Sequence, residues 1–543
     1  MTTSGPSDLT KGSKVDLGND GTYTIRQQLG KGVEGTTFRA AVEKPRRGSV
    51  GAGSQVALKV QIPAEDDEKA QARERELRVL EREGTVLAKK LPTAKDQDQR
   101  SFMVMPVYPG TTLLNALYEV TDRGIGNKKP LSQEEKEGIA VSLLQDMFAM
   151  QQLGIVHGDL KPDNILAHIE SRTAKIIDMG ESFIAAEGNP HPTFVGPGPL
   201  YEAVETREPN GHRIHLNSFK TDTYAIGMIL ASMFTDAHYQ NDARTNGANQ
   251  SLAARQAMND VLGDGVQHKQ GMPDGLLQVV RSLATIDPNA RPANIALADG
   301  IANCPQLKAI HEAGQAIAQF KKTELFTDVE KFTNKKNISN ELQAEVRKAF
   351  IKNNDLPSLR IELAKLSEKY PNEKEGIKQM SAMGDKIDKF CETQARQLQA
   401  IRADQIVQSQ HLGVVKEIAG ILDGRAQGHK KNGGALTAAA PLNASQFDDI
   451  GKLLFVASRT LAASHSPVDP QQIDQVLSQL KQAIENLPND KFGKTNPEAN
   501  QAAKDQLLKN ISTTQEMYGN FKTENLQARA ENESPKAGRR ATH

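Results

Sequence analysis

The sequence contains few cysteines, no long apolar run and no excess of either charge. Its 543 residues include two cysteines, Cys304 and Cys391, which are too few for a disulfide scaffold, lack the spacing of a structural zinc site and suit a reducing compartment. No stretch reaches the ~18 apolar residues of a membrane span, and the polar N-terminal stretch predicts no secretory signal. Lys plus Arg number 67, as do Asp plus Glu. We therefore expect a soluble protein with no transmembrane segment and no affinity for nucleic acid.

What is present is an ordinary globular composition spread over several domains. Hydrophobic residues make up 38% of the chain, which excludes global disorder, and the length corresponds to about three or four folded units. Residues 1–20 are polar and are predicted to form a flexible N-terminal tail. Residues 21–305 begin with short β-like runs and continue with helical periodicity, a pattern that favours an α+β domain with two lobes.

After residue 305 the pattern is helical. Ala, Gln, Lys and Glu dominate, and the apolar positions recur at the helical period, which is more typical of a bundle core than of a lipid-binding or partner-binding face. The predicted segments are a helical region over 306–427, a Gly- and Ala-rich loop or hinge over 428–445, a second helical region over 446–530 and a disordered tail over 531–543.

Three glycines and a lysine near the start of the α+β region have the arrangement of a phosphate-binding site. Gly30, Gly32 and Gly35 form G-x-G-x-x-G within LGKGVEGTTF, where missing Cβ atoms let the backbone approach phosphates closely. Alone, this pattern also fits a β-hairpin with turn glycines. Lys59 lies on the β-like run VALKV, where a lysine facing an apolar cleft needs a partner; an edge-strand lysine is the alternative.

The strongest signal is GIVHGDLKPDNIL followed by AKIIDMGES. Asp159 and Asn164 share one loop, and Asp178 ends a short apolar run farther along. Such spacing allows one carboxylate to accept a hydroxyl proton. The amide and the second carboxylate can then hold Mg²⁺, which takes oxygen ligands and accompanies ATP phosphates.

These motifs together resemble the eukaryotic-type (Hanks-type) serine/threonine protein kinase family. DMG stands in place of D-F-G, and YEAVE, DTYAIG and IDPNARP follow in the family's order. The resemblance implies an α+β bilobal protein-kinase fold, followed by an all-α helical C-terminal region. It also implies Mg-ATP-dependent phosphorylation of a protein substrate on serine or threonine.

The resemblance assigns a role to each matching residue. Asp159 corresponds to the catalytic base and Lys161 to the residue that neutralises the transferred phosphoryl group. Asn164 and Asp178 correspond to the Mg²⁺ ligands, with Mn²⁺ as the alternative metal. The implied ATP-binding residues are Gly30, Lys31, Gly32, Gly35, Lys59, Met105 and Val107.

In this family a helix carboxylate holds the lysine that corresponds to Lys59, and two glutamates compete for that role. Glu83 has the family's E-x-x-x-L arrangement in EGTVLAKKL, and Glu76 in ELRVL fits nearly as well. The two are seven residues apart and therefore share a helix face. The pattern favours Glu83 as the catalytic-site residue and leaves Glu76 open.

One departure from the family concerns activation. The family's H-R-D is HGD here, so Gly158 replaces the arginine that usually pairs with a phosphorylated activation loop. Activation by phosphorylation of that loop is therefore not expected, and constitutive competence and switching by a partner are the alternatives. By the same resemblance, Arg291 is expected to form a structural ion pair with Glu205.

The architecture is similar to that of effector kinases that some bacteria secrete into host cells. This similarity implies a virulence role in the host-cell cytoplasm, a host protein as substrate and a protein partner for the helical C-terminal region; an ordinary cytoplasmic kinase is the other reading. The alternative function is a scaffold or interaction protein whose kinase unit is regulatory or inactive. Transfer to a small molecule is disfavoured, because DTYAIG and IDPNARP belong to the protein-kinase pattern.

Overall fold

The structure is a computed structural model. The structure describes residues 9–31, 35–45, 54–61, 66–90, 100–108, 110–121, 124–169, 171–187, 201–206, 217–234 and 272–400, with short helical runs and single residues between 478 and 512. The chain divides into two compact units, Met1–Leu398 and Gln399–His543. In the second unit, residues 497–502 are helical and Ile511 is buried. The predicted hinge over 428–445 and the predicted tail over 531–543 lie outside the described residues.

A six-stranded antiparallel sheet forms the first lobe. Its strands are β1 (Lys14–Asp16), β2 (Thr22–Lys31), β3 (Gly35–Lys44), β4 (Gln55–Gln61), β5 (Ala88–Lys90) and β6 (Ser101–Pro106), in the order β1-β2-β3-β4-β6-β5. The sheet has its own apolar core, which includes Tyr23, Ile25, Phe38 and Leu58. Val15 and Leu17 belong to this core, and β1 pairs with β2. The predicted flexible tail over 1–20 is therefore wrong for residues 14–17, because these two apolar side chains anchor the segment.

Helix α1 (Asp67–Glu83) lies between β4 and β5 in the chain and has defined ends. The Asp66 side chain accepts a hydrogen bond from the Lys69 backbone N–H at its start, which satisfies one of the unpaired donors of the first turn. Gly84 ends the helix with a left-handed backbone at φ 81°, a conformation that glycine adopts without steric cost. Glu76, Leu77, Val79, Leu80 and Glu83 are its buried residues.

The second lobe is mostly helical. Its elements are β7 (Thr111–Thr112), α2 (Leu113–Leu117), β8 (Tyr118–Thr121), β9 (Gly124–Lys128), α3 (Gln133–Gln152), β10 (Ile155–Val156), β11 (Ile165–His168), β12 (Thr173–Ile176), β13 (Phe183–Ile184), α4 (Phe219–Phe234) and α5 (Asp274–Leu283). Helix α3 begins with a capping box in which Ser132 and Glu135 each satisfy the other's backbone N–H. Strand β11 pairs with both β12 and β7. These short strands carry the loops that form the candidate site.

A run of helices follows residue 305, as the helical periodicity predicts. They are α6 (Lys308–Phe320), a π-helical turn (Lys321–Leu325), α7 (Phe326–Thr333), α8 (Asn340–Lys352), α9 (Leu356–Lys369) and α10 (residues 374–400). The fold is therefore the expected bilobal α+β unit followed by an all-α region.

The boundary expected at residue 305 does not separate two cores. One apolar cluster contains Leu143 of α3 and Ile229 of α4 together with Leu307, Phe332 and Leu398. Helix α9 contacts α3 directly. Residues 306–398 therefore belong to the same compact unit as the two lobes. Among the described residues, no helix is both long and apolar enough to cross a bilayer.

Candidate active site

Lys59 lies at the middle of β4 and pairs with a glutamate of α1. On the sheet, Lys59 stands opposite Thr37 of β3 and Met103 of β6. Its ammonium group forms an ion pair and hydrogen bond with Glu76, and the Gln61 Nε2 donates to the other Glu76 oxygen at 2.8 Å. The Lys59 side chain is 16% exposed and that of Glu76 is 3% exposed. The lysine is therefore largely buried on a strand that has a neighbour on each side, and it does not lie at a sheet edge.

Glu83, which the sequence pattern favours as the partner of Lys59, is engaged elsewhere. Its carboxylate forms an ion pair with Lys175 of β12, whose ammonium group also lies 3.2 Å from Asp146 Oδ1 of α3. All three side chains are less than 10% exposed. Glu83 is thus part of a buried ionic triad, and Glu76 is the residue that holds Lys59. The expectation for Glu83 is wrong because the face shared by the two glutamates meets both lobes, and Lys175 occupies the end near Glu83.

The glycine motif spans the turn from β2 to β3. Gly30 and Lys31 stand opposite Thr37 and Thr36, and Gly32 lies outside the described residues. A Cβ atom on Gly35 would lie 2.3 Å from the Val60 carbonyl oxygen, so no side chain fits there. A Cβ atom on Gly30 would meet nothing within 4 Å. Strands β2 and β3 therefore place Gly30 beside open space.

Met105 and Val107 mark the passage from the first lobe to the second. Met105 stands opposite Ala57 of β4, two positions before Lys59. Met105 and Val107 are half-buried, whereas Met103 is buried. Met105, on the same sheet as Lys59, and Val107, just after the end of β6, are apolar side chains that suit contact with a flat apolar ring system.

The loop after β10 brings together Asp159, Lys161 and Asn164. Asp159 is 7% exposed. Its Oδ2 accepts from Lys161 Nζ at 2.7 Å and from Asn164 Nδ2 at 2.9 Å, and its backbone carbonyl also accepts from Asn164 at 2.9 Å. Asp159 Oδ1 is buried and has no hydrogen-bond partner within the described parts of the chain. A buried carboxylate oxygen without a donor is costly unless a ligand or water supplies one.

A buried aspartate of α4 holds the backbone of this loop. Asp222 accepts from the backbone N–H of His157 at 2.6 Å and from that of Gly158 at 3.0 Å. Burial raises the pKa of Asp222 to about 6, while the nearby His157 and these two donors act in the opposite direction. His157 itself is buried, and its ring contacts the Ile177 carbonyl at 3.1 Å. His157 and Asp222 thus fix the backbone of the loop that carries Asp159.

Asp178 follows β12 in a strained conformation. Its φ is +66°, which costs free energy for a residue with a side chain and is common at functional sites. The Ile177 backbone N–H donates to the Asn164 carbonyl at 2.9 Å, which ties the segment before Asp178 to the Asp159 loop. Asp178 is exposed, while the following Met179 is buried. The site therefore presents an exposed carboxylate beside a buried amide.

The expected pair between Arg291 and Glu205 is confirmed. Arg291 Nη1 lies 2.5 Å from Glu205 Oε1, and the arginine side chain is fully buried. It also donates to the carbonyls of Thr285 at 2.8 Å and Ile286 at 2.9 Å. This pair braces the second lobe.

Sequence reasoning did not identify the partners of Glu83. Lys175 stands in the apolar run TAKII and Asp146 in the apolar run SLLQDMF. A charge within an apolar run indicates a buried group that requires an opposite charge. The sequence therefore indicates that Lys175 and Asp146 are buried and need opposite charges. It does not indicate that they meet Glu83, because these residues are far apart in the chain.

Comparisons with known proteins agree with this geometry. The family model described as "Protein kinase domain" matches residues 23–304. Calcium-dependent protein kinase 27 of Arabidopsis thaliana is 26% identical over 211 residues, which are 38% of this chain and 40% of that protein. Probable serine/threonine-protein kinase PknB of Lactococcus lactis is 28% identical over 138 residues, which are 25% of this chain and 20% of that protein. The matched stretches thus span less than half of these relatives.

Proposed function

This chain belongs to the protein kinase family, and from that premise we propose that it is a Mg-ATP-dependent serine/threonine protein kinase. It transfers the terminal phosphoryl group of ATP to a hydroxyl group of a protein substrate. Lys161, two residues after Asp159, supports a serine or threonine as the acceptor. The similarity to the probable serine/threonine-protein kinase of Lactococcus lactis also supports this acceptor.

The observation that carries the proposal is the arrangement around Asp159. Lys161 and Asn164 fix Oδ2, while Oδ1 is buried and has no donor in the described structure. A substrate hydroxyl group would supply the missing donor. Oδ1 would accept its proton as the oxygen attacks the terminal phosphorus of ATP, the bond from that phosphorus to the β-phosphate oxygen breaks and ADP leaves. Asp159 is thus proposed as the catalytic base. Lys161 is proposed to neutralise the transferred phosphoryl group.

The first lobe provides the proposed nucleotide site. Lys59, held by Glu76, is a fixed positive charge for the ATP phosphates. Gly30, Lys31, Gly32 and Gly35 are proposed to cover those phosphates with backbone N–H groups, and Met105 and Val107 to contact the adenine.

The donor set fits Mg²⁺, with Mn²⁺ as the alternative. The Asn164 amide nitrogen donates hydrogen bonds to Asp159, so the amide oxygen is the atom that would bind a cation. Asp178 contributes a carboxylate. Mg²⁺ is commonly held by one or two such oxygens together with phosphates and water. When bound, the ion neutralises charge that develops on the phosphates.

The test is transfer of labelled phosphate from ATP by the full chain with Mg²⁺ and cell extract as the source of substrates. Asp159→Asn is compared with Asp163→Asn, an exposed aspartate in the same loop. We expect the first variant to lose at least a hundredfold in rate, in the range of a removed general base, and to keep ATP affinity. The second should retain the wild-type rate.

Equal transfer by both variants would contradict the role of Asp159. No transfer by the wild-type chain, although ATP binds, would favour the alternative of a scaffold or interaction protein with an inactive kinase unit. Replacing Mg²⁺ with Mn²⁺ in the same assay identifies the preferred metal.

A finer proposal concerns where the kinase acts. The similarity of its architecture to secreted bacterial effector kinases supports a host protein as substrate and a protein partner for the C-terminal helical region. Phosphate transfer to proteins of a host-cell extract, compared with an extract of bacterial cells, tests this directly.

A further inference from the structure

Helix α10 contacts the last turn of α1, seven residues beyond the glutamate that holds Lys59. Arg396 donates to the Glu83 carbonyl at 2.5 Å through Nη1 and to the Arg82 carbonyl at 2.9 Å through Nη2. The two acceptors are 313 and 314 residues away in the chain. A residue of the C-terminal region thus contacts the element that carries Glu76.

These bonds complete the C-terminus of α1. The last four carbonyls of a helix have no donor within it. Gly84 N–H serves the Leu80 and Glu81 carbonyls, each at 3.0 Å, and Arg396 serves the next two. A Cβ atom on Gly84 would lie 2.6 Å from Arg396 Nη1, so the guanidinium group packs directly on the backbone. A cation at this end also interacts favourably with the helix dipole.

A second ionic contact joins the same two helices. Arg82 Nη2 lies 3.7 Å from Asp388 Oδ1 of α10, and Asp388 Oδ2 accepts from Arg360 of α9 at 3.1 Å. Arg82 also donates through Nε to the Leu153 carbonyl at 3.2 Å. Helix α10 is itself anchored, since Ile387, Cys391, Ala395 and Leu398 are all buried in the core shared with Leu77 and Leu80 of α1.

The position of Glu76 depends on how firmly the C-terminal end of α1 is held. Seven residues correspond to about 10 Å of helix, so a tilt of about 10° at the last turn moves Glu76 by about 2 Å. That shift breaks a hydrogen bond. The contact between Glu76 and Lys59 therefore requires a fixed α1.

We propose that α10 is a built-in positioning element of the kinase and that Arg396 is its positioning residue, which keeps α1 where Glu76 meets Lys59. The inference rests on the proposed kinase function and adds to it a means of constitutive competence. Gly158 stands where the family has the arginine that reads a phosphorylated loop. Contacts from α10 hold the end of α1 without any phosphorylated loop.

The experiment compares Arg396→Ala and Arg396→Lys with Lys389→Ala in the full-length protein. Lys389 is an exposed cation of the same helix, so its removal matches the loss of charge. We expect Arg396→Ala to lower kcat about tenfold or more and Lys389→Ala to leave it unchanged. Arg396→Lys should recover part of the loss, because one ammonium group can serve a carbonyl. All assays are run well below the melting temperature of each variant, so that a stability effect alone does not lower the rate.

Hydrogen exchange of the backbone amides at residues 76–84 provides a readout independent of catalysis. Faster exchange in Arg396→Ala, but not in Lys389→Ala, is expected. If the wild-type chain transfers phosphate and the two alanine variants match in kcat and in exchange, the inference is overturned while the kinase function stands. If the wild-type chain transfers none, the kinase function fails. The exchange comparison then still decides whether Arg396 holds α1.

Discussion

The two glutamates of α1 allow a direct test of the site, because they differ in what they hold. Glu76→Gln removes the charge that holds Lys59, and Glu83→Gln removes one of the two carboxylates around Lys175. A hydrogen bond to a charged group contributes about 1.5–3 kcal/mol. Lost from the transition state, that corresponds to a decrease of about 10- to 150-fold in kcat/KM. We therefore expect Glu76→Gln to lose activity by this factor.

At Glu83, losing a hydrogen bond of similar free energy should lower stability and not activity. The triad contributes to folding, so Glu83→Gln should lower the free energy of unfolding by about 1.5–3 kcal/mol. For a unit ending at Leu398, the unfolding entropy is about 0.8 kcal/mol per kelvin, which gives a fall of about 2–4 °C in melting temperature. Glutamine keeps the shape and an accepting oxygen, so α1 stays in place and activity should change less than about threefold.

The assay is a rate measurement at saturating and limiting ATP together with thermal unfolding of the same preparations. Glu76→Asp serves as a control for charge, since it keeps the carboxylate but shortens the side chain. If Glu83→Gln lost as much activity as Glu76→Gln at an unchanged melting temperature, the assignment of Glu76 would be refuted. Glu83, which has the family's E-x-x-x-L spacing, would then be the residue required at the site.

Three further predictions concern the backbone and pH. Gly35→Ala should destabilise the first lobe by about 1–3 kcal/mol, because its Cβ would lie 2.3 Å from the Val60 carbonyl, whereas Gly30→Ala should be tolerated in unfolding experiments. Gly158→Ala should lower stability by about 1 kcal/mol or more by chemical denaturation, because φ is +78° there. Burial raises the pKa of Asp222 to about 6 from 3.8, so the folded state binds its proton more tightly. This contribution to stability is full below pH 3.8 and is lost as the pH rises to about 6. Asp222→Asn lacks this dependence, so chemical denaturation should show its free energy of unfolding rising by up to about 3 kcal/mol relative to wild type between pH 3.8 and about 6. A difference that stays constant with pH would contradict the raised pKa of Asp222.

Local signals in the sequence predicted much of the fold. The apolar period predicts the helices after residue 305, and the structure has a run of helices there. Asp159 and Asn164 meet as their spacing indicates, and Lys161, which the family resemblance assigns, meets them too, because all three lie on one short segment. Features that depend on one segment alone can be predicted from that segment.

The partner of Lys59 could not be predicted in the same way. Glu76 and Glu83 share a helix face, and the choice depends on Lys175, which is 92 residues from Glu83. The limit of the folded unit was missed for a related reason. Helices that pack on the second lobe have the same apolar period as helices of a separate bundle, so periodicity does not reveal which surface they cover.

The core that the second lobe shares with the later helices has a practical consequence. The family match ends at residue 304, yet Leu307, Ile310, Phe320 and Leu398 are buried in the same cluster as the second lobe. A fragment cut where the resemblance stops would expose that apolar surface to water and tend to aggregate. The helices up to Leu398 are therefore part of the folded unit and cannot be removed without exposing its apolar core.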